Sequence, residues 1–166
     1  MIWDDDADDE PGDMNEDELR EEMRLQDERI YNLPVMKKAQ EIVQLVDSLC
    51  DAIQLDDTDI TEDKEKLFFR HMLEQIRGDS YILPSKIAGA EGSDLYSLRM
   101  ENAVIIKKAA CEIRSATYSL EMREEADAKY LEVIRNEIDS FKQVFLQWIQ
   151  SFDKKNDLDD GWGLWK

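Results

Sequence analysis

Glycine and proline are scarce in this chain, 6 and 3 among 166 residues. That is too few for an all-β protein, which needs a tight turn every few residues. Histidine occurs once and cysteine twice. One imidazole excludes the paired Glu-x-x-His ligands of a bundle-core di-iron site and any multi-histidine oxygen carrier. Cys50 and Cys111 lie far apart inside apolar helical patterns, so they frame neither a disulfide scaffold nor a haem attachment site, and they point to a reducing compartment. No hydrophobic run approaches the roughly 18 residues of a membrane helix, and the acidic start Met1-Ile2-Trp3-Asp4-Asp5-Asp6 is unlike a secretory signal. A cytoplasmic protein is expected, with no membrane contact. Base is also in short supply, 21 Lys and Arg against 40 Asp and Glu, for a net charge of −19, which disfavours binding to nucleic acid.

The acidity is concentrated. Residues 1–63 hold 22 acids and 5 bases, residues 64–123 hold 8 and 10, and residues 124–166 hold 10 and 6. Asp4 to Glu18 contain ten acids and no base. Like charges at that density repel, and few apolar groups are present to offset ordering, so residues 1–30 read as a flexible acidic tail, in which the spacing of Leu19, Met23 and Ile30 offers a short peripheral helix before Pro34.

From Pro34 the pattern is helical. Ala39, Ile42, Val43, Val46, Leu49, Cys50 and Ile53 fall on one face of a helix that Pro34 suits at its first turn. Asp59 and Glu62 offer a capping box for the next helix, which runs through Leu67, Phe68, Met72, Leu73, Ile76, Leu83 and Ile87 with a kink expected at Pro84. Gly89 and Gly92 mark a break, and Ser93 or Asp94 can cap a third helix through Leu95, Leu98, Asn102, Ile105, Ile106, Ala109, Ile113, Ala116 and Leu120. Asn102 reads as a buried polar position that sets packing register. Leu131, Ile134, Ile138, Phe141, Phe145, Trp148 and Phe152 alternate spacings of three and four in a fourth helix. Short connections between long helices predict an antiparallel up-down-up-down four-helix bundle over residues 31–153, followed by an aromatic tail at 154–166.

Chemistry is hard to find in the pattern. His71 with Glu74 reads as an ordinary helical pair, and Arg77-Gly78-Asp79-Ser80, which spells an adhesion tripeptide, lies in a helix rather than a loop. No nucleophile–base pair or glycine-rich phosphate loop is present, so no enzyme, metal or cofactor is expected. Arg99, Lys107 and Lys108, with Arg114, form a candidate basic stripe on the third helix, though Glu101 and Glu112 interrupt it. Trp162, Leu164 and Trp165 have no helix to bury them; they either dock back onto the bundle's own surface or are candidate docking anchors for another subunit or protein, since aromatic residues dominate such contacts.

Leu33-Pro34-Val35-Met36-Lys37-Lys38-Ala39 and Leu83-Pro84-Ser85-Lys86-Ile87-Ala88 carry a resemblance to the bacterial four-helix-bundle proteins first noticed in intervening sequences of 23S ribosomal RNA genes. Met36 replaces that family's aromatic residue, Lys86 replaces its asparagine, and Gly89-Ala90 stand inserted before Glu91-Gly92. The resemblance implies a homo-oligomer, commonly a pentamer, of unknown biochemical role. One branch of the family is a nucleic-acid-binding accessory to the reverse transcriptase of diversity-generating retroelements. The expected function is a non-catalytic, self-associating interaction or scaffold protein, with the reverse-transcriptase accessory as the alternative.

Adjacent apolar pairs support self-association. Phe68 with Phe69, Ile105 with Ile106, Val144 with Phe145 and Trp148 with Ile149 place two side chains about 100° apart, and both cannot always face one core seam; either the widened stripes fill the bundle interior or, as the resemblance favours, they meet another subunit.

Overall fold

The computed structural model describes residues 15–53 and 64–165. It contains five helices among those residues: α1 Glu16–Tyr31, α2 Pro34–Ala52, α3 Lys64–Glu91, α4 Tyr96–Met122 and α5 Ala128–Gln150. The expected antiparallel four-helix bundle is therefore corrected to an all-α fold of five helices. Long helices α2 to α5 close on one another, α2 against α3 and α5, and α4 against the same two, while α1 packs on α2. No helix among the described residues is long and apolar enough to cross a membrane.

The fifth helix is the short one expected through Leu19, Met23 and Ile30, and it begins at Glu16, inside the stretch whose charge argued for a solvated tail. Residues 16–31 are rich in Glu, Arg, Leu, Met and Gln, all good helix formers. Their charges also alternate in sign at helical spacing. Arg20 pairs with Glu16 at 3.6 Å, and Arg24 with Glu21 at 2.6 Å and Glu28 at 3.4 Å. Glu16, Asp17 and Glu18 lie in the first turn and Arg29 in the last, the arrangement the helix dipole favours. The ten acids from Asp4 to Glu18 hid only the first turn of this helix. The turn into α2 needs only Asn32 and Leu33. Asn32 donates its side-chain amide to the Glu28 carbonyl at 2.8 Å, and Leu33 takes the extended backbone that a following proline imposes.

The core follows a three–four spacing on every long helix. In α2 it runs through Val35, Ala39, Ile42, Val46 and Leu49, and all seven positions expected from Leu131 to Phe152 are buried, six in α5 and Phe152 just past its end. In α3 the buried stripe is Phe69, Leu73, Ile76, Ser80, Leu83, Ile87 and Ala90, and in α4 it is Ala103, Ile106, Ala110, Ile113, Thr117 and Leu120. Leu67, Phe68, Leu98 and Ile105, expected inside, are exposed. They lie off the three–four seams, which pass through Ser80 in α3 and Thr117 in α4. Each hydroxyl donates to the carbonyl three residues earlier, Ser80 to Arg77 at 2.7 Å and Thr117 to Arg114 at 2.6 Å, so burial leaves no polar group unpaired. Asn102 is only half-buried and donates to Leu98 within its own helix at 2.9 Å, so it is not the buried register residue expected.

Helix α3 continues through Pro84 to Glu91. The capping box at Asp59 and Glu62 lies outside the described residues. Ser93 accepts the Leu95 N–H at 3.1 Å, but the first turn of α4 is capped from the far end of the chain. The Asn156 carbonyl accepts the Tyr96 N–H at 2.8 Å, and the Asp157 carboxylate accepts the Ser97 N–H at 3.1 Å and its hydroxyl at 2.7 Å. These bonds hold the Asp157 carboxyl below the usual carboxylate range, the Ser97 hydroxyl contributing most. A carboxyl depressed by folding contributes stability above its ordinary range and loses it as pH falls through the folded value. Asp157→Ala is expected to speed hydrogen exchange at the Tyr96 and Ser97 amides while leaving the α5 core protected. Unchanged exchange at those two amides would contradict this capping role.

Candidate interaction surfaces

A buried carboxylate ties four helices together. Glu91, at the end of α3, has a side chain only 4% exposed. One carboxylate oxygen meets Arg29 of α1 at 2.9 Å, and the other accepts the Trp148 indole N–H of α5 at 2.7 Å and faces Arg99 of α4 at 3.3 Å. Arg99 also donates its Nε to the carbonyls of Ser93 at 2.7 Å and Ala90 at 3.1 Å, and its guanidinium lies over the Phe152 ring at 5.0 Å. A carboxylate at a helix C-terminus opposes the helix dipole. The two guanidinium groups and the indole offset that cost and the cost of desolvation. Arg99, expected on a basic surface stripe, is thus an internal structural residue.

The remaining members of that stripe separate. Lys107 and Lys108 are both exposed, but Lys107 borders the α5 side of α4 whereas Lys108 lies near Asp79 of α3. Arg114 is engaged by Asp139 of α5, with a second contact at 3.3 Å. The adhesion-like tripeptide is helical: Arg77 pairs with Asp47 at 3.1 Å and with Asp51, and Ser80 is fully buried.

Asp79 faces a cleft of about 160 Å³ between α3 and α4 that Glu112 also lines. Burial pushes its carboxyl up, Glu112 adds to the rise and Lys108 opposes it. A raised carboxyl contributes stability below its ordinary range and loses it as pH rises through the folded value, so ionised Asp79 works against the fold near neutrality. Asp79→Asn is expected to raise the melting temperature at about pH 7 and to lose that advantage at about pH 3. A lower melting temperature at the neutral value would contradict this.

In the C-terminal segment Trp162 is 81% exposed and Leu164 is also exposed, while Trp165 is half-buried. Through Asn156 and Asp157 the segment is fastened to α4 a few residues before these side chains.

The apolar pairs divide as geometry requires. Phe69, Ile106, Phe145 and Trp148 are buried; Phe68 and Ile105 are 55% and 40% exposed, and Val144 and Ile149 are half-buried. Between α4 and α5 lies an open groove of about 340 Å³ with Phe141, Phe145 and Leu146 on the α5 side and Ala110 on the α4 side. Lys107, Arg114, Asp139 and Lys142 border it, and free Cys111 is exposed on its α4 wall. Val104 stands one turn before Lys107 on the same face and is exposed, as is Leu146. The other cysteine differs: Cys50 is half-buried, its thiol donates to the Leu73 carbonyl at 3.6 Å, and burial pushes its pKa up, which suppresses its reactivity. Among the described residues no group of three or more His, Cys, Asp or Glu side chains is placed to hold a metal ion.

Sequence reasoning found the bordering residue Lys107 but missed the groove and the Glu91 cluster. Glu91 is 62 residues from Arg29 and 57 from Trp148, and no local pattern links them. The acids opposite the basic stripe were equally out of reach, since Asp139 lies 25 residues from Arg114.

No protein-family model, curated protein or solved structure matches this chain. With five helices in the fold and no matching family, the resemblance to the ribosomal intervening-sequence proteins is withdrawn, and the pentamer it implied is withdrawn with it.

Proposed function

We propose that this chain is a non-catalytic interaction protein of the cytoplasm that associates with copies of itself. The observation that supports this reading best is the α4–α5 face, where Val104 and Leu146 remain exposed beside an open apolar groove. Exposed apolar residues scattered singly need no explanation, but a contiguous patch bordered by charge is the usual form of an association surface. The two free thiols suit a reducing compartment. Binding to nucleic acid is disfavoured by a net charge of −19 and by the commitment of Arg99 to Glu91 and Arg114 to Asp139.

Co-expression of a tagged and an untagged copy of the full chain tests this reading. The untagged copy is expected to co-purify with the tagged one, and to do so after nuclease treatment. Recovery of the tagged copy alone would contradict self-association, and co-purification that nuclease abolishes would favour a nucleic-acid-binding role.

A further inference from the structure

We infer that the Leu19–Met23 face of α1 from one copy lies in the α4–α5 groove of the next. The inference rests on the self-association proposed above and assigns it two surfaces. Residues 15–29 are exposed along their whole length, and α1 buries only Ile30. A lone helix of this length is marginal in water, so a tertiary or quaternary partner for its apolar face has an evident use. Leu19 and Met23 are exposed and lie one turn apart on the face that ends in Ile30.

Charge decides which surface suits that face. Glu22 flanks the Leu19–Met23 stripe on one side and Asp27 on the other, and both stand outside the ion pairs that Arg20 and Arg24 make within α1. The α4–α5 groove presents the converse pattern: Phe141 and Phe145 line it together with Lys107, Lys142 and Arg114, against one acid, Asp139, which Arg114 engages and Lys142 also neighbours. The lengths agree as well. Lys107 to Arg114 and Leu19 to Gln26 each cover eight residues, seven helical steps or roughly 10 Å. An amphipathic helix seated in a hydrophobic groove is a recurrent recognition mode.

The pairing joins two copies. Both surfaces are open on the same copy, and α1 is fixed at its last turn by Ile30 and by the Arg29–Glu91 ion pair. The contact uses different patches on the two partners, so repetition gives a ring if the rotation closes and an open chain if it does not.

Cys111 provides a reporter. In full-length chains carrying Cys50→Ser, one tagged copy receives Met23→Cys and Cys111→Ser, and an untagged copy keeps Met23 and Cys111. A short bis-maleimide should link the two into a covalent heterodimer, and Leu25→Cys, on the opposite face of α1, should link poorly. Lys107→Glu with Lys142→Glu should weaken association at least about tenfold, and Glu22→Lys with Asp27→Lys on the same chain should restore it. Absence of the link at position 23, equal linking at position 25, or no effect of charge reversal would overturn the inference. If the unmodified chains still co-purify after such a result, self-association stands and uses another surface. If they do not, both fall. A chain holding both cysteines that links only within itself would place α1 on its own groove and also overturn the inference.

Discussion

Replacing Glu91 with alanine is expected to destabilise the fold by about 3–5 kcal/mol, the usual cost of removing one member of a buried ion pair. The substitution strips the partner from the Trp148 indole N–H, leaves the largely buried Arg99 guanidinium without its carboxylate, and releases Arg29 of α1. Against a typical total stability of about 5–15 kcal/mol that is a large fraction. Glu91→Gln should cost less, because an amide oxygen still accepts from the indole. Arg29→Ala should cost about 0–1 kcal/mol, since that side chain is 54% exposed and Arg99 stays in place. Urea unfolding followed by far-ultraviolet circular dichroism would resolve the order. A Glu91→Ala chain within about 1 kcal/mol of the parent would show that the cluster does not hold the helices together.

A second large effect tests the register of α4. Ile106 is fully buried and its neighbour Ile105 is 40% exposed. Ile106→Ala should cost about 2–5 kcal/mol through lost burial and the cavity left behind, and Ile105→Ala about 0.5 kcal/mol or less. The two substitutions delete the same atoms from adjacent positions of one helix, so intrinsic helix propensity cancels and the difference reports the facing of α4 alone. Equal costs would mean that the stripe through Thr117 is not the core seam.

These two predictions mark the boundary of what the sequence reveals. The stripes of α2 and α5 are legible because their core positions are apolar and spaced at three and four. The stripes of α3 and α4 are partly hidden because Ser80 and Thr117 are core residues with polar side chains, their hydroxyls satisfied within the same turn. A search for apolar periodicity then drifts by one residue and admits Phe68 and Ile105. Helix α1 is legible in part: the spacing of Leu19, Met23 and Ile30 marks it, while its start at Glu16 is obscured because the sign pattern of its charges matters more than their sum. Among the candidate site residues, Lys107 and Lys108 are legible as exposed helical bases, and Trp162 and Leu164 as exposed aromatic and aliphatic side chains. The inward commitment of Arg99 is not legible, because it depends on Glu91 and Phe152, which only the fold brings near. The capping of α4 by Asp157 is non-local in the same way, 60 residues away in sequence.

The acidic character of the chain bears on the same question. A net charge of −19 repels like copies at long range, and that repulsion is screened within about 8 Å at physiological ionic strength. Association between such copies therefore needs short-range apolar contact and local charge complementarity, which the Leu19–Met23 stripe and the groove beside Lys107 and Lys142 offer together.

Light scattering coupled to size exclusion, run on the full chain at physiological salt over a range of micromolar concentrations, measures mass independently of shape. Self-association predicts a mass that is a multiple of 19.5 kDa or climbs toward one as concentration rises. A mass of 19.5 kDa throughout that range would contradict it.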